Sequence, residues 1–229
     1  MLILAIDTSS RHGSIALCRG DSDSFEVLQL TSLEGGTYSA ELLPRIAEAL
    51  QQNDLNKTDV DGFVVVSGPG SFTGLRVGLS TVKGLCEVLQ KPLATVSMLE
   101  ALVLTQGRSG ESTVALLDAG RGEIYVGEYR LESARATLIR EYIANLDEFA
   151  AQLPTGSGDL LTVDEKIAEA LQAANRKVIL VAPVNASEIG RIGLRKLLAG
   201  ETADPVTIDV NYIRRSDAEI FSAAKKTPC

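Results

Sequence analysis

The run Ser67-Gly68-Pro69-Gly70-Ser71-Phe72-Thr73-Gly74-Leu75-Arg76-Val77-Gly78 constrains this chain more than any other stretch. It follows Gly62-Phe63-Val64-Val65-Val66, an apolar run that reads as a buried strand, and precedes Leu79 to Leu89, which reads as a helix. A strand that runs through a glycine-rich turn into a helix is an α/β unit. Such a turn presents backbone N–H groups at the positive end of the helix, where an anion is stabilised. No Gly-Lys-Ser/Thr follows, so the spacing is not that of a P-loop. Gly68 to Phe72 reads Gly-Pro-Gly-Ser-Phe, which is not a Gly-x-Ser-x-Gly elbow either. Two readings stay open: a phosphate cradle, or glycines that supply special backbone angles with Ser71 or Thr73 capping the helix.

A chain of 229 residues, nearly half of them apolar, can bury one large core or two small ones. No apolar run approaches the ~20 residues a membrane helix needs. The start, Leu2-Ile3-Leu4-Ala5-Ile6, is strand-like and lacks the basic region and cleavage site of a signal peptide. Cys18, Cys86 and Cys229 have no metal-like spacing. Reduced thiols in a cytoplasmic protein are the expectation. The net charge of −8 argues against independent binding to a nucleic-acid backbone. The basic clusters are Arg214-Arg215 and Lys225-Lys226. An acidic protein can still belong to a machine that acts on RNA when a partner holds the RNA.

The first half reads as strands at Leu2 to Ile6, Ser14 to Cys18 and Phe25 to Leu30, then a helix from Ala40 to Gln51. That helix gathers Leu42, Leu43, Ile46, Ala47 and Leu50 on one face, with Pro44 in its first turn. The strand at 62–66 and a helix over 72–89 follow, then a strand at 93–96 and a helix at 98–105. A Gly/Ser-rich break, Gln106-Gly107-Arg108-Ser109-Gly110, separates the halves. It divides the chain into an N-terminal lobe, 1–106, and a C-terminal lobe, 107–229. The second half restarts with strands at 114–117, 124–129 and 137–142 and a helix at 146–153. A strand at 160–163, a helix at 165–174, a strand at 178–181 and a helix at 186–198 follow. A terminal strand-like segment, 206–213, is expected to lie near the end, with the last segment packing back on the first lobe.

The restart looks like a duplication. Leu4-Ala5-Ile6-Asp7 turns through Gly13 into a second strand, and Leu116-Leu117-Asp118 turns through Gly120 and Gly122 into another. Paired strand–Asp–hairpin openings suggest the actin-like/sugar-kinase/Hsp70 (ASKHA) two-lobe α/β fold, each lobe a mixed sheet with helices. There the two Asp-bearing hairpins face each other across a nucleotide cleft. Asp7 and Thr8 can then hold a hydrated cation or a phosphate, with Ser71, Thr73 and Asp118 completing a vestigial or composite nucleotide site. Asp7 and Asp118 can instead brace their own hairpins.

With these motifs the chain resembles the bacterial TsaB (YeaZ) family, which takes part in making threonylcarbamoyladenosine in transfer RNA. The glycine segment 68–78 carries most of the resemblance. Leu4 to Ser9, Leu42-Leu43-Pro44, Leu117 to Tyr125 and Tyr212-Ile213-Arg214 also match. The resemblance implies a noncatalytic scaffold that dimerises with TsaD. TsaD in that scheme transfers the threonylcarbamoyl group to adenosine 37 and carries ATP and the metal ion, so no cofactor is expected on this chain. It also implies a TsaE-like partner, a homodimer when TsaD is absent, and contact with tRNA only through the complex. A small ATPase or kinase of the same fold, and a peptidase-like protein, are the alternatives.

TsaD-type metal binding needs a His-x-x-x-His pair on the first helix. This chain has one histidine, His12, in the first hairpin, and Gly35-Gly36-Thr37-Tyr38 stands where related proteins often carry a histidine. The candidate second nucleotide loop, Thr155-Gly156-Ser157-Gly158-Asp159, is short. On the long helix, Gly74 and Gly78 are spaced i, i+4, with Ser80 and Gly84 on the next strip. A helical glycine costs ~1 kcal/mol against alanine, so close backbone approach is the expected gain. The resemblance places the partner interface on this helix and the first one, at Leu42, Ile46, Gly74, Arg76, Gly78 and Leu85. Packing of the same helices against their own sheet is the other reading.

Overall fold

The computed structural model describes residues 1–106, 112–132, 135–153, 158–211 and 213. The chain forms two five-stranded sheets. In the first, β1 (Leu2–Asp7), β2 (His12–Gly20) and β3 (Phe25–Glu34) form an antiparallel meander. Helix α1 (Tyr38–Gln52) then crosses over to β4 (Gly62–Gly68), and α2 (Phe72–Leu89) crosses to β5 (Leu93–Ser97). Parallel neighbours need such crossovers, and β4 pairs in parallel with both β1 and β5. The strand order is β3-β2-β1-β4-β5.

The second sheet repeats this plan. After α3 (Met98–Gln106) come β6 (Ser112–Gly120), β7 (Glu123–Glu132) and β8 (Arg135–Asn145), again antiparallel. Helix α4 (Leu146–Gln152) leads to β9 (Asp159–Thr162), and α5 (Glu165–Ala173) to β10 (Val178–Leu180). The order β8-β7-β6-β9-β10 is that of the first sheet, with β9 parallel to β6 and to β10. Two lobes with one shared topology make this the actin-like two-lobe fold. The last helix, α6 (Ala186–Leu198), packs on β1, β2, β4 and β5 of the first sheet.

Both faces of the first sheet are therefore covered, by α1 and α2 on one side and α6 on the other. That is why β1 is buried at every residue and reads as an unbroken apolar run. Helix α3 is buried at Met98, Leu99, Ala101, Leu102 and Val103 and touches strands of both sheets. One apolar core runs from the first sheet through α3 to Ala115, Tyr125, Tyr129 and Leu131 of the second. A smaller core lies beneath α4 and α5.

Two readings of the sequence are corrected. Residues 206–211 are not a strand. The Asp204 carboxylate accepts from the Val206 N–H and the Thr207 hydroxyl and curls the chain into a turn, and the sheet contact nearby is a single bridge, Leu93 to Ala203. On α1, Leu43 and Ala47 point to solvent, whereas Tyr38, Leu42, Ile46, Ala49 and Leu50 face the core. Residues 107–110 of the break, residues 155–157 of the short second loop, Tyr212, both basic clusters and the tail after Ile220 lie outside the described residues.

Candidate functional site

The glycine loop is built against the first hairpin. Ser71 caps α2: its Oγ accepts from the Gly74 N–H at 3.3 Å, and its own N–H donates to the Ser9 carbonyl at 2.6 Å. A Cβ on Gly70 would collide with that same Ser9 carbonyl oxygen, so only glycine fits. One turn further, a Cβ on Gly74 would collide with the Thr8 carbonyl oxygen, and one on Gly78 with Thr8 Oγ1. The Thr8 hydroxyl donates to the Gly74 carbonyl at 2.8 Å. The loop and α2 are thus seated on residues 8 and 9 of their own chain.

Asp7, at the end of β1, is almost fully buried. Its Oδ1 accepts from the Ser9 N–H at 2.8 Å and from the Ser9 hydroxyl at 2.7 Å. Burial raises its pKa above the ordinary carboxylate value, and the two Ser9 hydrogen bonds oppose that shift. Asp118, at the equivalent place on β6, is exposed, and its Oδ1 accepts from the Gly120 N–H at 2.8 Å.

Both strand-end aspartates line one cavity of about 640 Å³ between the lobes. Ser71 and Gly70 lie on its first-lobe wall, and Met98, Leu102, Leu117, Tyr125 and Val184 give it an apolar lining. Asp164 also borders it, but its Oδ1 caps α5 by accepting from Lys166 and Ile167. The expected nucleotide set is divided. Asp7, Ser71 and Asp118 share the cavity, whereas Thr8 is turned away onto Gly74. Thr73 opens instead on a separate cavity of about 380 Å³ beside Gly35, Gly36 and Tyr38. Arg11, Ser10 and the apolar lining from α3 were not singled out in the sequence. The all-round apolar character of 98–103 was the available signal.

His12 opens β2 and is exposed. Among the described residues no group of three or more His, Cys, Asp or Glu side chains is placed to hold a metal ion. Helix α1 carries no histidine, so it lacks the His-x-x-x-His pair expected of a TsaD-type metal site.

The expected interface residues also divide. Leu42 and Ile46 are buried in the chain's own core, because they lie on the α1 face turned to the sheet. Gly74 and Gly78 are buried as well, and a Cβ on either would meet Thr8 of the same chain, which is the packing reading of these glycines. Arg76 is exposed and stacks over the Phe72 ring, 3.9 Å from its centroid, and Leu85 is half-buried. The outward surfaces of the two helices carry residues outside the expected interface set: Leu43, 56 % exposed, Phe72, 38 %, and Val88, 74 %. Gly84 is exposed, with nothing within 4 Å of where its Cβ would stand.

Comparison with known proteins agrees with this topology. The chain is 37 % identical over 134 residues to the tRNA threonylcarbamoyladenosine biosynthesis protein TsaB of Bacillus subtilis, covering 58 % of this chain and 57 % of that protein. It is 33 % identical over 132 residues to TsaB of Escherichia coli, covering 57 % and 55 %. The matches thus span little more than half the length of these relatives. YeaZ from Pseudomonas aeruginosa superposes with a TM-score of 0.73 over 93 % of this chain and all of that one, at 23 % identity, and so shares the fold. Residues 36–199 match the family model described as "TsaD: tRNA N6-adenosine threonylcarbamoyltransferase". With most of its length inside that match, and relatives named TsaB, the chain belongs to the TsaD family and resembles its TsaB (YeaZ) members.

Proposed function

We propose that this chain is a noncatalytic subunit of the machinery that makes threonylcarbamoyladenosine in tRNA, and that it pairs with TsaD through the outward faces of α1 and α2. The observation that carries the reading is the surface of those helices. Leu43, Phe72 and Val88 are large apolar side chains left in solvent on two adjacent helices. Gly84 leaves room for a second backbone to approach. Phe72 opens α2 and Val88 lies in its last turn, so they bound the length of the outward surface, with Arg76 and Gly84 between them, that is assigned here to the partner. Arg76 and Leu85 belong to this proposed interface.

The inward half of the glycine motif supports the same reading. Its backbone approaches Ser9 and Thr8 and sets the position of α2, while Thr8 is engaged with Gly74. In this scheme ATP and the metal ion belong to TsaD, a TsaE-like protein joins the complex, and tRNA is held by the partners, in keeping with a net charge of −8. Without TsaD the same face pairs two copies of the chain.

Gly84→Arg tests the interface. Arginine is a good helix former and meets no neighbour there, so the variant should melt like the wild type. It should elute apart from TsaD in size-exclusion chromatography where the wild type co-elutes. Co-elution of the variant at wild-type concentrations would place the contact elsewhere. One observation favours a second reading, nucleotide binding by the chain alone: Asp7 and Asp118 line the same cavity. Titration of the isolated chain with Mg-ATP by calorimetry separates the two, because the scaffold reading expects no heat of binding.

A further inference from the structure

A polar cluster away from the cavity ties the second lobe to the glycine loop. Its centre is the Glu141 carboxylate on β8. Oε1 accepts from the Tyr129 hydroxyl at 2.5 Å and from the Ser97 hydroxyl at 3.1 Å, and Oε2 accepts from the Asn211 side-chain amide at 3.0 Å. Tyr129 stands on β7 of the second sheet, but Ser97 ends β5 of the first. Asn211 follows α6 and lies against the first lobe: its N–H donates to the Ser67 carbonyl at 2.9 Å. Its carbonyl oxygen lies 3.0 Å from where a Cβ on Gly68 would stand. Ser67 and Gly68 are the last residues of β4, and the loop that opens α2 begins there.

One carboxylate therefore reaches the ends of two first-lobe strands, β5 directly and β4 through Asn211. Among the described residues its three donors are neutral. A carboxylate partly withdrawn from water among neutral donors is favourable only when each donor is aimed at it, which makes the arrangement specific rather than merely adhesive. Burial, reinforced by the Glu141 carboxylate, pushes the Tyr129 phenol well above its ordinary pKa, so it remains a donor. The shared core around α3 already joins the lobes. The Glu141 cluster adds a directional link to the glycine loop, which an apolar core does not supply.

We propose that Glu141 and Asn211 form a latch that makes the β7–β8 pair and the glycine loop move as one body, with Glu141 as the positioning residue. A change at the second lobe is then transmitted to the start of α2. The inference concerns the chain alone and stands or falls independently of the TsaD reading.

A donor–acceptor swap tests it by amide hydrogen exchange on the isolated full chain. Asn211→Asp sets two carboxylates against each other and should speed exchange at Ser71, Gly74 and Leu75 by about tenfold or more, the scale of one lost charge-assisted hydrogen bond. Adding Glu141→Gln supplies an amide donor to the carboxylate introduced at position 211 and should return those amides to within about twofold of the wild type. Glu141→Ala should match Asn211→Asp at the same amides. The latch is overturned if Asn211→Asp leaves these amides unchanged, if Glu141→Gln does not rescue it, or if exchange rises equally across both sheets.

Discussion

Residue by residue, the glycine motif separates positions that look alike in sequence. Gly74, Gly78 and Gly84 all lie inside α2, yet the first two are pressed on Thr8 and the third faces open space. Gly74→Ala should destabilise the fold by about 1–3 kcal/mol through overpacking. Gly84→Ala should stabilise it by up to about 1 kcal/mol through helix propensity. Thermal melts of the pair check the contrast. Asp7 gives a pH prediction. Its folded-state pKa is raised by burial, so above the ordinary value of 3.8 the unfolded chain releases the proton first. Its contribution therefore lowers stability as pH rises from about that value to the folded-state one. Asp7→Asn keeps an oxygen for Ser9 and removes the buried charge. The variant should melt higher at neutral pH and lose part of the wild type's decline on leaving acid, as read from melting temperature against pH. The glycine spacing in the sequence showed that something comes close to α2. It could not show that the close neighbour is residue 8, because that contact spans 66 positions and exists only once β1 and β4 pair.

At the scale of elements, the apolar runs of β1 and β4 and the strand–Asp–hairpin repeats were legible because burial and alternation leave direct marks on sequence. The face of α1 was less so. Leu42 and Leu43 are adjacent, so composition alone did not reveal which one meets the sheet, and the answer came from the rotation fixed by Tyr38 and Ile46. The strand-like run at 206–213 failed for a local reason, the turn organised by the Asp204 carboxylate. Helix α3 holds the lobes together. Leu102 is fully buried and also borders the interlobe cavity. Leu102→Ala should cost about 2–5 kcal/mol, at the lower end if the existing cavity lets neighbours relax. Urea denaturation, with an unchanged slope and a lower midpoint, is the check.

Across the whole molecule, two lobes of equal topology share one core, and the last helix of the chain covers the first sheet. A two-lobe enzyme that opens and closes on its substrate needs its lobes to part. Here parting them exposes α3 and the side chains of Tyr125, Tyr129 and Leu131. Parting the lobes therefore carries the cost of exposing this shared core, and the proposed scaffold reading, in which α1 and α2 meet a partner, requires no such opening. Reconstituted threonylcarbamoyl transfer to tRNA, with purified TsaD and this chain, tests that account most directly. The Asp7→Asn/Asp118→Asn double variant should support modification at the wild-type rate, whereas Gly84→Arg, folded and equally concentrated, should reduce it at least about tenfold, the effect of one disrupted interface anchor. Loss of modification with the double aspartate variant, together with full activity of Gly84→Arg, would contradict the account.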